Sequence, residues 1–223
     1  MARWRFLGDE RLYAALHDFL ISHSDEYLKA VLSHLQISML SVLIAILIAV
    51  PLGIAGSRLS PIQWLLTEFF GLLRIIPSLA VLFICIPLLG TGVLPAAVAL
   101  IILAIPPVLI NTILSFQNIP DAVLETATGM GMGRWSRFWE VELPLASPLI
   151  LTGIRTATIE VIASATLAAY IGGGGLGEII FTGLGLYRLD LLIIGGSSVA
   201  VLSLLADLTF FLIEQCITRY QRV

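Results

Sequence analysis

The chain has 223 residues, 58% of them hydrophobic and 12% charged, with a mean hydropathy of +1.01. A soluble domain carries about 25% charged residues, so half that share makes lipid the expected solvent for most of the chain. The net charge of −3 and the pI of about 5.6 exclude a basic nucleic-acid-binding surface. Cys85 and Cys216 stand in separate apolar stretches with no metal or redox spacing.

Arg3 and Arg5 are followed by Asp9, Glu10 and Asp18 rather than by an apolar core. No cleavable signal is therefore expected, and the first span acts as its own insertion signal. Leu12, Leu16, Phe19 and Leu20 fall on one helical face, which suits a short amphipathic helix within an interfacial segment, 1–29. No formal charge separates Lys29 from Arg58, and a first span is expected at 31–57. Ser60-Pro61 opens a second span that carries Glu68 and Arg74 and runs to Leu89. Pro77 removes a backbone donor inside it, so a kink or break belongs there. After a turn at Gly90-Thr91-Gly92, a third span covers 93–115, bent at Pro106-Pro107.

Residues 116–147 change character. Asp121, Glu125, Arg134, Arg137, Glu140 and Glu142 make this stretch too polar to span. A fourth span at 149–171, a glycine-rich connection at 172–185 and a fifth span at 191–217 complete the chain, with a tail at 216–223. The expectation is an all-α polytopic membrane protein with one transmembrane domain, 30–215. It has five spans, or six if Pro77 divides the second. Arg58, Arg134, Arg137, Arg219 and Arg222 then share one side, which the positive-inside rule makes cytoplasmic.

From Asp121 the polar stretch reads Asp-Ala-Val-Leu-Glu-Thr-Ala-Thr-Gly-Met-Gly-Met-Gly, and it ends Val141-Glu-Leu-Pro-Leu-Ala-Ser-Pro148. It resembles the EAA loop of bacterial ABC importer permeases: E-A-A, three residues, Gly, nine residues, Ile-x-Leu-Pro. Glu125, Ala127, Gly131, Leu143 and Pro144 match, while Thr126 replaces the middle Ala and Val141 replaces Ile. Small residues allow close approach of another backbone, and Trp135, Phe138 and Trp139 offer aromatic anchors. Arg74-Ile-Ile-Pro-Ser-Leu-Ala80, Gly153-Ile-Arg-Thr-Ala-Thr158 and Ala165-Thr-Leu-Ala-Ala-Tyr-Ile-Gly-Gly-Gly-Gly-Leu-Gly177 look like osmoprotectant permeases of this class.

The resemblance implies the type I importer fold and a coupling helix that fits a cleft on an ATPase subunit. It also implies a second permease subunit, identical or similar, and an extracytoplasmic solute-binding protein. Glycine betaine, choline and carnitine are the implied solutes. The chain is then not itself an enzyme. Neither Gly129-Met-Gly-Met-Gly133 nor Gly172 to Gly177 has the spacing of a nucleotide-binding loop. ATP and its Mg are expected on the ATPase, with no cofactor in this chain. A secondary transporter or channel that uses intramembrane charge is the competing reading; the lack of an internal repeat fits it poorly.

Charged residues within spans are functional candidates by default. Counted from the cytoplasmic ends at 1.5 Å per residue, Glu68 lies about 10 Å deep and Arg155 about 9 Å, and Arg74 about 20 Å and Glu160 about 17 Å. Depth matching therefore pairs Glu68 with Arg155 and Arg74 with Glu160, leaving Asp207 for a dimer partner or a wet cavity. Such pairs either line the pathway or staple helices. Gly172, Gly173, Gly174 and Gly175 are expected to form a sharp outer turn or a flexing gate.

Overall fold

The structure, a computed structural model, describes residues 10–218. Arg3, Arg5, Asp9, Arg219 and Arg222 lie outside the described residues. Helix α1 (Glu10–Ser22) forms where the amphipathic helix is expected. Leu16 and Phe19 are half-buried on it, while the side chains of Leu12 and Leu20 are outside those described. Helix α2 (Ser24–Ser57) starts earlier than the apolar run, because Asp25 and Glu26 favour a helix N-terminus.

The second span is broken. Helices α3 (Ser60–Leu73) and α4 (Ser78–Leu89) meet at 94°. Pro77 has φ −58° and ψ 136° and caps α4, and a proline also disfavours helical geometry in the residue before it. Helix α5 (Val93–Gln117) runs as one element through Pro106 and Pro107. Among the described residues, four helices are long and apolar enough to cross a membrane, or five spans if the bent pair counts as one.

The polar stretch is mostly helical. It contains α6 (Asp121–Gly129), α7 (Arg134–Arg137) and a π-helical segment, Phe138–Glu142. The latter leads straight into α8 (Leu143–Ala168). The fourth span thus begins before 149. The connection at 172–185 is likewise not irregular throughout, since Leu176–Gly185 forms α9. Helix α10 (Leu189–Thr218) is the last among the described residues.

Helix α5 is the centre of the bundle and packs along α2 and α8. The contact is lined with small residues: Ala45 and Ala49 on α2, Ala96, Ala99 and Ala104 on α5, and Ala157 and Ala165 on α8, all fully buried. In lipid, such residues let helices approach until van der Waals contact holds them. A Cβ on Gly153 would come within 2.8 Å of the Pro107 carbonyl oxygen, so α8 and α5 touch backbone to backbone there.

Candidate coupling loop and membrane charges

Helix α6 follows Pro120, which occupies the cap position, so Asp121 is the first helical residue rather than the N-cap. The helix ends in a Schellman motif: the Met132 amide donates to the Ala127 carbonyl (3.2 Å) and the Gly131 amide to that of Thr128 (2.9 Å). Gly131 has φ +84°, the left-handed geometry this ending requires. Glu125, Thr126 and Gly131 are exposed, Leu143 is half-buried and Pro144 exposed. Ala127 is buried within the chain's own fold, on a helix that packs against α7 and the π-helical segment.

Trp135 and Trp139 are 75% and 53% exposed, as free anchors would be. Phe138 instead lies flat on Phe116 at the end of α5 (6.0 Å, 4° between planes). It ties the loop to the bundle.

Beneath these rings Glu142 is buried, with 2% of its side chain exposed. Arg58, at the end of α2, donates to Oε2, and Arg137 Nε donates to Oε1 at 2.9 Å. Arg137 Nη1 also donates to Thr128 Oγ1 on α6 (3.1 Å), and the Arg58 guanidinium sits over Phe116 (5.8 Å). One carboxylate therefore connects α2, the loop and α8. The wide π turn at Phe138–Glu142 is where this carboxylate turns inward.

In the membrane, Arg74 Nη2 donates to Glu160 Oε1 at 3.2 Å, within one chain. The other expected pair does not form. Arg155 Nε donates to Asp207 Oδ1 (2.6 Å), and its Nη1 lies 3.6 Å from Glu214 Oε2. Asp207, Phe211 and Glu214 recur at helical spacing on one face of α10, and that face meets Arg155, whose guanidinium also sits 6.0 Å from the Phe211 ring centre. Asp207 is thus satisfied by its own chain. Glu68 is exposed on α3 and makes no ion pair among the described residues.

At the glycine turn, Gly172, Gly174 and Gly175 have φ of +83°, +76° and +84°. A Cβ on Gly173 would stand 2.8 Å from the Ala168 carbonyl oxygen, and one on Gly175 3.1 Å from His34 Nδ1. His34 is fully buried, and its Nε2 is 3.0 Å from the Ile162 carbonyl oxygen. The turn is a packed plug over His34.

The model of the family described as "Binding-protein-dependent transport system inner membrane component" matches residues 41–219. The chain belongs to this family. Among curated relatives of this permease component is the glycine betaine/carnitine/choline transport system permease protein OpuCB of Bacillus subtilis. It is 41% identical over 200 residues, covering 90% of this chain and 92% of the relative. The osmoprotectant import permease protein OsmY of Salmonella typhimurium is 36% identical over 176 residues, covering 78% and 75%. Among solved structures, an inward-facing form of the MetNI methionine ABC transporter superposes with a TM-score of 0.79 at 20% identity, covering 86% of this chain and 96% of that one. That likeness establishes the type I importer permease fold, and the family match makes the chain an inner membrane component. Arg58, Glu142 and His34 are the site residues that sequence reasoning missed. The one available signal was a carboxylate inside the Val141-Glu-Leu-Pro144 run.

Proposed function

We propose that this permease component translocates quaternary ammonium osmoprotectants such as glycine betaine, carnitine or choline, delivered by an extracytoplasmic binding protein. The observation that carries the reading is the 41% identity to OpuCB along nine tenths of both chains. In this reading α6 docks in a cleft of an ATPase subunit, with Trp135 and Trp139 flanking the contact. ATP and Mg bind that subunit, not this chain. The loop and the C-terminus face the cytoplasm, and two permease subunits enclose the path.

Reconstitution with the ATPase and the binding protein tests it: uptake of labelled betaine, carnitine or choline should require ATP. Uptake without the ATPase subunit would support a secondary transporter instead. Glu125→Ala and Gly131→Leu should each lower uptake about tenfold, equivalent to about 1.4 kcal/mol lost at the docking surface. Both should still insert: nothing in the chain lies within 4 Å of a Cβ at Gly131, and the strain a leucine meets at φ +84° stays local to the exposed end of α6, so Glu125→Ala is the cleaner test of docking. Normal uptake by both variants would remove α6 from the coupling role.

A further inference from the structure

At the break between α3 and α4 lies a cavity of about 300 Å³, lined by Arg74, Ser78, Leu103, Pro106, Glu160 and Ser164 among others. Its chemistry is two-sided. Arg74 supplies a guanidinium, and Ser78 opens α4; the Ala80 and Val81 amides bond to the Pro77 carbonyl, which leaves those of Ser78 and Leu79 without helical acceptors. Opposite in sign, Glu160 supplies a carboxylate. The Leu103 carbonyl adds to it, for a reason set by sequence: its helical donors at i+3 and i+4 would be Pro106 and Pro107, and neither has an N–H. An unsatisfied carbonyl inside a membrane protein is costly unless the residue lines a cavity, and Leu103 does.

Arg74 and Glu160 are each about half exposed, at 44% and 43%. A charged pair presented to hydrocarbon at mid-membrane depth would be expensive. The pair therefore borders an enclosed or wet path. A solute entering there must part the two charges, and parting is tolerable only if each finds a new partner.

We propose that this cavity is a transit site for zwitterions: the solute carboxylate replaces Glu160 on Arg74 and meets the open Ser78 and Leu79 amides, while the solute ammonium meets Glu160 and the Leu103 carbonyl. The site rests on the permease reading above and narrows its solute class. A zwitterion such as betaine or carnitine satisfies both charges. Choline satisfies Glu160 and leaves Arg74 bare. The cavity therefore favours passage of zwitterions over simple cations.

The test uses the complete complex in proteoliposomes, with the binding protein saturated by either betaine or choline, and compares maximal uptake rates. Wild type should move betaine faster. Arg74→Gln should lower betaine uptake relative to choline about tenfold, the scale of one charge-assisted hydrogen bond. Glu160→Gln should lower both. Should a single variant fail to fold, the double variant Arg74→Gln/Glu160→Gln leaves no lone charge and should fold, with the preference for betaine lost. Lack of any ATP-driven uptake by wild type would overturn the permease reading itself. Choline passing as fast as betaine in wild type, or a double variant that keeps the betaine preference, would overturn the zwitterion site alone.

Discussion

Glu142→Ala is expected to uncouple ATP hydrolysis from uptake. The carboxylate is the shared acceptor of Arg58 and Arg137, and Arg137 in turn holds Thr128 at the end of α6. Without it two guanidiniums face each other, and α6 loses its polar link to α2. Breaking a buried ion pair costs about 3–5 kcal/mol. The loss here should fall below that, because Arg58 and Arg137 keep 46% and 26% of their side-chain exposure. Uptake should drop strongly while basal ATPase activity persists, and Glu142→Gln, which keeps one acceptor oxygen, should be milder. The ratio of solute moved to ATP hydrolysed measures this; an unchanged ratio in Glu142→Ala would remove the carboxylate from the coupling path.

Gly177→Ala should cause the largest loss of folded protein among single methyl additions. The new Cβ would sit 2.0 Å from the Thr166 carbonyl oxygen and 2.7 Å from Ala169 Cβ. Overpacking a core costs about 1–3 kcal/mol where side chains can shift. Here the obstacle is main chain, so α9 must leave α8 or α8 must bend. The yield of monodisperse protein and its melting temperature should both fall. Gly196→Ala, with nothing within 4 Å, is the matched control and should behave as wild type.

Local chemistry was readable where one residue type decides the outcome. Pro77 announced the break, and the spacing from Glu125 to Pro144 announced the loop that carries α6. Arg74 and Glu160 were matched by depth alone, correctly. The same method failed for Arg155, because depth is one coordinate and the direction a residue faces around its helix is another. Arg155 faces the Asp207–Glu214 stripe of α10, not α3. Helix α9 was hidden by Gly177, Gly183 and Gly185, which read as a linker, yet Gly177 and Gly183 are the close contacts of a packed helix while Gly185 faces open space. Gly183 and Gly195 press against neighbouring main chain or side chains at 3.0 Å or less. Glu142 was hidden because burial of a carboxylate depends on two arginines distant in sequence or in orientation.

The broken second span has a consequence for synthesis. At 1.5 Å per residue, α3 and α4 measure about 21 Å and about 18 Å, each short of the roughly 30 Å hydrocarbon core. Neither half is a competent insertion segment alone, and Arg74 lies between them. Helix α3 meets the earlier α2, but the main neighbour of both halves, α5, and the α8 that touches α4 are translated later. The nascent pair must therefore wait near the insertion machinery or at the interface until α5 arrives, and the glutamate that neutralises Arg74 comes only with α8.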